Sequence, residues 1–157
     1  ILFITAMTEV TGDIVTSFKR VKPCIRLLKG RVFPATTAKI RLSATMEDGT
    51  IVEGESQIPL VHKRIKTCAY FSTSCRTSAF FHKSYQRKLK SLYLVQEVLY
   101  TSIIPNLLVD NIADEIKKSK AIKIYICNVM TQPGETDDYT ASMHVKALIE
   151  HGGAGIV

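Results

Sequence analysis

Asn128-Val-Met-Thr-Gln-Pro-Gly-Glu-Thr-Asp137 gathers two side-chain amides, two hydroxyls and two carboxylates into ten residues. Asn128, Thr131, Gln132, Glu135 and Thr136 offer both donors and acceptors, the inventory that reads a ribose, a base or a sugar hydroxyl. Glu135 and Asp137 can hold a metal or act as a base, although acids in a polar loop are more often simply solvated. His144 follows one helical turn later and reads as a surface or core histidine rather than a ligand. Thr8, Glu9, Thr11 and Asp13 form a second polar group. Thr8 and Thr11 lie one turn apart and can face a cleft; packing and capping explain them equally well.

The elements around the ten residues decide where such chemistry sits. The apolar run Ile122 to Cys127 reads as a buried parallel strand. Tyr139 to His151 has helical spacing, with Val145, Leu148 and Ile149 on one face. The polar residues therefore fall at the carboxyl end of a strand, just before a helix, where open α/β sheets bind ligands. An ordinary turn is the alternative, since Pro-Gly marks turns in any case. Elsewhere, Leu2 to Val21 reads as a helix with Gly12 inside it, and Arg31 to Pro34 as a short strand. Ile40 to Met46 and Thr50 to Ser56 alternate around a Glu47-Asp-Gly49 turn, a hairpin pattern. Ile65 to Phe71 and Leu92 to Val95 are further strands. Thr101 to Val109 is apolar and broken at Pro105, and Asn111 to Ser119 reads as an exposed helix. Helices alternating with apolar strands, plus one antiparallel excursion, predict an α/β fold: a Rossmann-like three-layer sheet with an inserted β-hairpin.

The 157 residues are one domain's worth, and 46% apolar content argues against disorder. No apolar run approaches the roughly 18 residues that span a bilayer, so no membrane partner is expected. Cys24, Cys68, Cys75 and Cys127 are scattered without Cys-x-x-Cys pairs and read as reduced, cytosolic residues. His62, His82, His144 and His151 do not join them at metal-ligand spacing, and no metal site is expected. The net charge of +7 is unevenly placed: Ser56 to Gln96 holds eight Lys or Arg and no Asp or Glu, leaving 13 basic and 14 acidic residues elsewhere. With Tyr70, Phe71, Phe80, Phe81, Tyr85 and Tyr93 nearby, that stretch can be read as a nucleic-acid arm.

Four ordered blocks resemble the gluconeogenesis factor family, bacterial proteins related to 2-phospho-L-lactate transferase. Ala6-Met-Thr-Glu-Val-Thr-Gly-Asp13 resembles a helix start of that family. Gly30-Arg-Val-Phe-Pro-Ala-Thr36 with Met46 to Glu55 resembles its middle hairpin. Leu99-Tyr-Thr-Ser-Ile-Ile-Pro-Asn-Leu-Leu-Val109 resembles the segment after its phosphate-binding turn, and Asn128 to Asp137 its strand-tip motif. The resemblance covers most of the chain except residues 68 to 98. It implies a cytoplasmic protein that binds a nucleotide sugar of the UDP-N-acetylglucosamine type and supports cell morphogenesis on gluconeogenic carbon sources. Tyr100, Thr101 and Ser102 would then meet phosphate at a helix start, where free amides and the dipole favour an anion; from the residues alone, capping by Thr101 or Ser102 stays open. A transferase passing a phospholactyl group to a deazaflavin, with a divalent metal, is the alternative. A homo-oligomer is compatible with both. The first residue, Ile1, and the glycine-rich last residues, Gly152 to Val157, read as an internal fragment of a single α/β domain; the resemblance implies that a glycine-rich nucleotide-binding start and a carboxy-terminal region would both lie outside it. Asp138 stands where the resemblance usually places Gly, and Met143 where it usually places Asp.

Residues 72 to 90 have no clean period, and the family's Gly-Pro-Gly-Ser turn is missing where Val95-Gln-Glu-Val98 stands. Val-Gln-Glu-Val can be written GTC CAG GAA GTT; read from the last base of a preceding TTG, those bases give GGT CCA GGA AGT, Gly-Pro-Gly-Ser. Shifted readings upstream likewise spell a loop, an amphipathic helix and an apolar strand. Residues from about Thr73 to Val98 are therefore expected to be out of frame. In that case the basic cluster is an accident, and no nucleic-acid partner follows from it.

Overall fold

In a computed structural model, residues 2–17, 20, 34–70, 89–95 and 98–157 are described. Residues 31–33 of the expected first strand, Phe71, Cys24, Cys75, His82 and most of the stretch expected to be out of frame lie outside them.

The first helix is shorter than its pattern. α1 (Leu2–Thr11) ends where Gly12 turns to φ 70°. A residue without Cβ takes that left-handed conformation at no steric cost and stops the helix. Asp13 then caps a new turn over 14–17, its Oδ2 accepting from the Thr16 amide at 2.8 Å and the Thr16 hydroxyl at 2.7 Å. The continuous helix expected over Leu2 to Val21 is thus divided.

Alternation reads the first sheet correctly. β1 (Leu42–Met46) lies between β2 (Ile51–Glu53) and β3 (Ile65–Tyr70), both antiparallel to it. Leu42, Ala44 and Met46 point into the core, while Ser43 and Thr45 do not. Gly49 at φ 84° closes the hairpin turn. Asp48 accepts from the Thr50 amide at 2.9 Å and pairs with Lys63 at 2.6 Å; those bonds, that with Lys63 first, hold its carboxyl well below the usual range.

The second sheet is a parallel pair, β4 (Ser91–Val95) beside β5 (Ile122–Ile126), in register from Ser91↔Ile122 to Val95↔Ile126. The crossover carries a wide-turn helix over Leu99–Ile103, then α2 (Ile104–Leu107) and α3 (Ile112–Lys118). α3 is not simply exposed: Ile112 and Ile116, one turn apart, are buried. After β5 comes α4 (Ala141–Gly152), capped by Thr140. Its buried face is His144, Ala147 and Leu148, rotated from the expected Val145, Leu148 and Ile149. One apolar cluster joins the pieces, with Met46, Ile58 and Ile65 from the antiparallel side meeting Ile103, Ile104, Ile116 and Leu148. Each such side chain removed from water stabilises the fold by about 1.5–3 kcal/mol. Among the described residues no helix is long and apolar enough to cross a membrane.

Candidate functional site at the strand tips

β4 and β5 are neighbouring parallel strands, so the chain leaving each arrives at the same edge of the sheet. After β4 it enters the wide turn. The Ile103 amide reaches back five residues to the Val98 carbonyl at 3.3 Å, and Ile104 reaches Leu99 the same way. Pro105 explains the width: it has no N–H to offer, and its ring would collide with the carbonyl four residues back in a normal turn.

After β5 the chain folds into a turn over 132–137. The Gln132 carbonyl accepts from the Glu135 and Thr136 amides at 3.1 and 2.9 Å, and the Thr136 hydroxyl accepts from the Gln132 amide at 2.8 Å. Asp137 accepts from the Gly134 amide at 2.7 Å. Gly134 has φ 80°, and a Cβ there would stand 2.0 Å from the Pro59 carbonyl oxygen. The glycine of the motif is therefore a packing requirement against the 3-10 turn Pro59–Val61.

Glu135 joins the two tips. It is 3% exposed. Its Oε2 accepts from the Tyr100 amide at 3.0 Å and the Thr101 amide at 3.2 Å, and its Oε1 from the Thr101 hydroxyl at 2.7 Å. Burial raises its pKa; the three hydrogen bonds pull the other way, and Glu55 adds to the rise. A carboxylate thus sits on the amides that an anionic ligand was expected to meet. Phosphate contact through the Tyr100 and Thr101 amides requires Glu135 to move aside.

Tyr100, Thr101, Gln132, Glu135 and Thr136 are brought together by these bonds. Ser102 is half-buried beside them, its carbonyl accepting from Asn106 at 2.7 Å. Asn128 and Thr131 are exposed on the same loop, with Val129 and Met130 projecting between them. The second cluster serves the helix break: the Thr11 hydroxyl lies 2.8 Å from the Met7 carbonyl and 2.7 Å from the Ser17 hydroxyl, Asp13 caps, and the Thr8 carbonyl accepts from Gly12.

Beneath the tips lies an aromatic nest that the residue pattern did not single out. The Tyr100 and Tyr139 hydroxyls share a hydrogen bond at 2.8 Å, and burial holds the Tyr100 hydroxyl well above its usual pKa, so it stays protonated. Tyr100 meets Tyr139 and His151 edge-on, with centroids 6.2 and 5.9 Å apart. His144, buried, meets Tyr139 edge-on at 5.4 Å and bonds the Thr140 carbonyl through Nδ1 at 3.0 Å. His151 Nε2 accepts from the Cys68 amide at 3.0 Å and Nδ1 lies 2.8 Å from the Ala147 carbonyl, which places its proton on Nδ1. The Cys68 thiol is pushed up to about 12 by burial, with Glu135 adding to the rise; it is no nucleophile at neutral pH. The recurring sign is a helical histidine whose ring bonds a carbonyl four residues back.

The model of the 2-phospho-L-lactate transferase CofD family matches residues 1–157. The chain is 45% identical to a gluconeogenesis factor of Halalkalibacterium halodurans over 157 residues, which are 99% of this chain and 48% of that protein. It is 43% identical to the gluconeogenesis factor of Bacillus subtilis, over 99% of this chain and 49% of the relative. A Bacillus halodurans protein solved by X-ray crystallography superposes with a TM-score of 0.91 at 43% identity, over 99% of this chain and 50% of that one. The chain spans about half the length of the relatives it matches.

Proposed function

The chain belongs to the 2-phospho-L-lactate transferase CofD family, and we propose that within it the protein is a gluconeogenesis factor that binds a nucleotide sugar of the UDP-N-acetylglucosamine type. The observation that carries the reading is the Glu135 bridge, which ties the tips of two adjacent parallel strands into one ligand-facing edge. In this reading Ser102, Asn128, Thr131 and Gln132 meet the ligand, while Tyr100, Thr101, Glu135 and Thr136 hold the tips in register and turn to it when Glu135 is displaced. A cytoplasmic location and a role in cell morphogenesis on gluconeogenic carbon sources belong to the same proposal. So does a small molecule, rather than nucleic acid or a membrane, as the partner.

The description of the matching family favours a second reading, a 2-phospho-L-lactate transferase, for which the resemblance implies a deazaflavin acceptor. Such a reaction needs a divalent metal held by carboxylates. Glu135 has three of its acceptor sites engaged by Tyr100 and Thr101 and does not fit that duty. Thermal unfolding of this chain and of the Bacillus subtilis relative separates the readings. A ligand at 100 times its Kd stabilises by about 2.7 kcal/mol. UDP-N-acetylglucosamine should give such a shift, weakened by Asn128→Ala with Thr131→Val. A shift with GDP and none with the UDP-sugar overturns the proposal in favour of the transferase.

A further inference from the structure

In a parallel pair, register partners point to the same face. Leu92, Leu94 and Tyr125 pack toward the core cluster. The opposite face carries Tyr93, Val95, Ile122, Ile124 and Ile126 beside Ser91. On it Tyr93 is 58%, Val95 54%, Ile122 68% and Ile126 49% exposed. β5 was expected to be buried, and of its four apolar residues only Tyr125 lies on the core side. Parallel sheets are covered on both faces, because the crossover between parallel strands lays a helix across them. Here a continuous β-branched and aromatic stripe has no such layer over it among the described residues.

We propose that this face is the seat of the part of the family domain that lies outside the matched residues, and that an amphipathic helix of that part covers Tyr93, Val95, Ile122 and Ile126. Two observations converge on this occupant. The relatives extend about twice the matched length, so a body of chain large enough to form the layer exists in them. The stripe also belongs to the parallel sheet, whose outer layer is made by crossover helices, and not to the antiparallel one. A second copy of this chain is the competing occupant.

Carbene footprinting read by mass spectrometry, on this chain and on the Bacillus subtilis relative, decides it. Ile122, Ile124 and Ile126 should label strongly in this chain at every concentration, and labelling at the aligned residues of the relative should be largely lost. Equal labelling in both proteins overturns the proposal. So does protection that appears in this chain as it dimerises, which assigns the face to a second copy, or protection in this chain as a monomer. As a second arm, Ile122→Lys with Ile126→Lys should leave the unfolding midpoint of this chain unchanged and lower that of the relative at the aligned positions. A fall in this chain alone overturns it.

Discussion

Glu135 is buried among donors, so its size, polarity and charge can be separated by substitution. Glu135→Ala leaves the Tyr100 and Thr101 amides without their partner, at a cost of about 2–4 kcal/mol in denaturant unfolding. Glu135→Gln keeps an acceptor for those amides and should cost less than about 1 kcal/mol at neutral pH, because it also removes a desolvated charge. The pH dependence comes from the raised pKa. Between the ordinary carboxylate value of about 4.3 and the raised native value, the folded state binds more protons than the unfolded one, so stability falls as pH rises through that window. In Glu135→Gln this fall should vanish; the same slope in both proteins would assign it to another group. Gly134 makes a harsher prediction. Gly134→Ala needs a left-handed alanine and drives its Cβ into the Pro59 carbonyl. The strain and the displaced turn together should cost at least about 3 kcal/mol, read as a lower urea midpoint.

At the scale of elements, period-two alternation was legible because β1 has one face in the core and one out of it. The α4 face is misread when its histidines are counted as polar. His144 and His151 point inward since each ring finds a carbonyl four residues earlier in its own helix, which removes the cost of burial. The apolar spacing of α1 continues past Gly12, a residue whose φ only the structure reveals, and so hides the break. Asp138 was legible in the other direction: the resemblance led one to expect a glycine at this position, and its φ is 60°. The strand-tip site was legible as a set of polar residues, but its internal wiring was not, since a carboxylate bonding its own fold and one awaiting a ligand look alike in sequence. His151 also seals the outer edge of β3 by accepting from the Cys68 amide. His151→Phe should keep the ring contact with Tyr100, leave that amide unpaired, and cost about 1–3 kcal/mol. Hydrogen exchange gives the specific readout: the Cys68 amide should exchange faster than its ladder neighbours. Unchanged exchange there would show that the bond contributes nothing to β3.

For the whole molecule, the presence of β4 does not decide whether the stretch around it is written in frame. The chain as given forms the strand from Ser-Leu-Tyr-Leu-Val, while the shifted reading places Ile-Leu-Val-Leu over nearly the same span, and both are apolar enough to pair with β5. The two frames diverge on either side of the strand. The shifted one puts Gly-Pro-Gly-Ser directly before Leu99, where the wide turn starts and a glycine backbone can approach a phosphate closely. It also replaces Arg76, Lys83, Arg87, Lys88 and Lys90, charges that cannot be buried beside a core without a partner. A chain rewritten over Thr73 to Val98 in the shifted frame should therefore unfold at higher urea concentration and with a larger m-value, because more surface is buried on folding. The rewriting also removes five of the eight basic residues between Ser56 and Gln96, so any salt-sensitive affinity of the chain for a polynucleotide should fall with it. If the rewritten chain is no more stable than the one given, the basic stretch is a genuine part of this protein, and its charge then has to be explained by a partner.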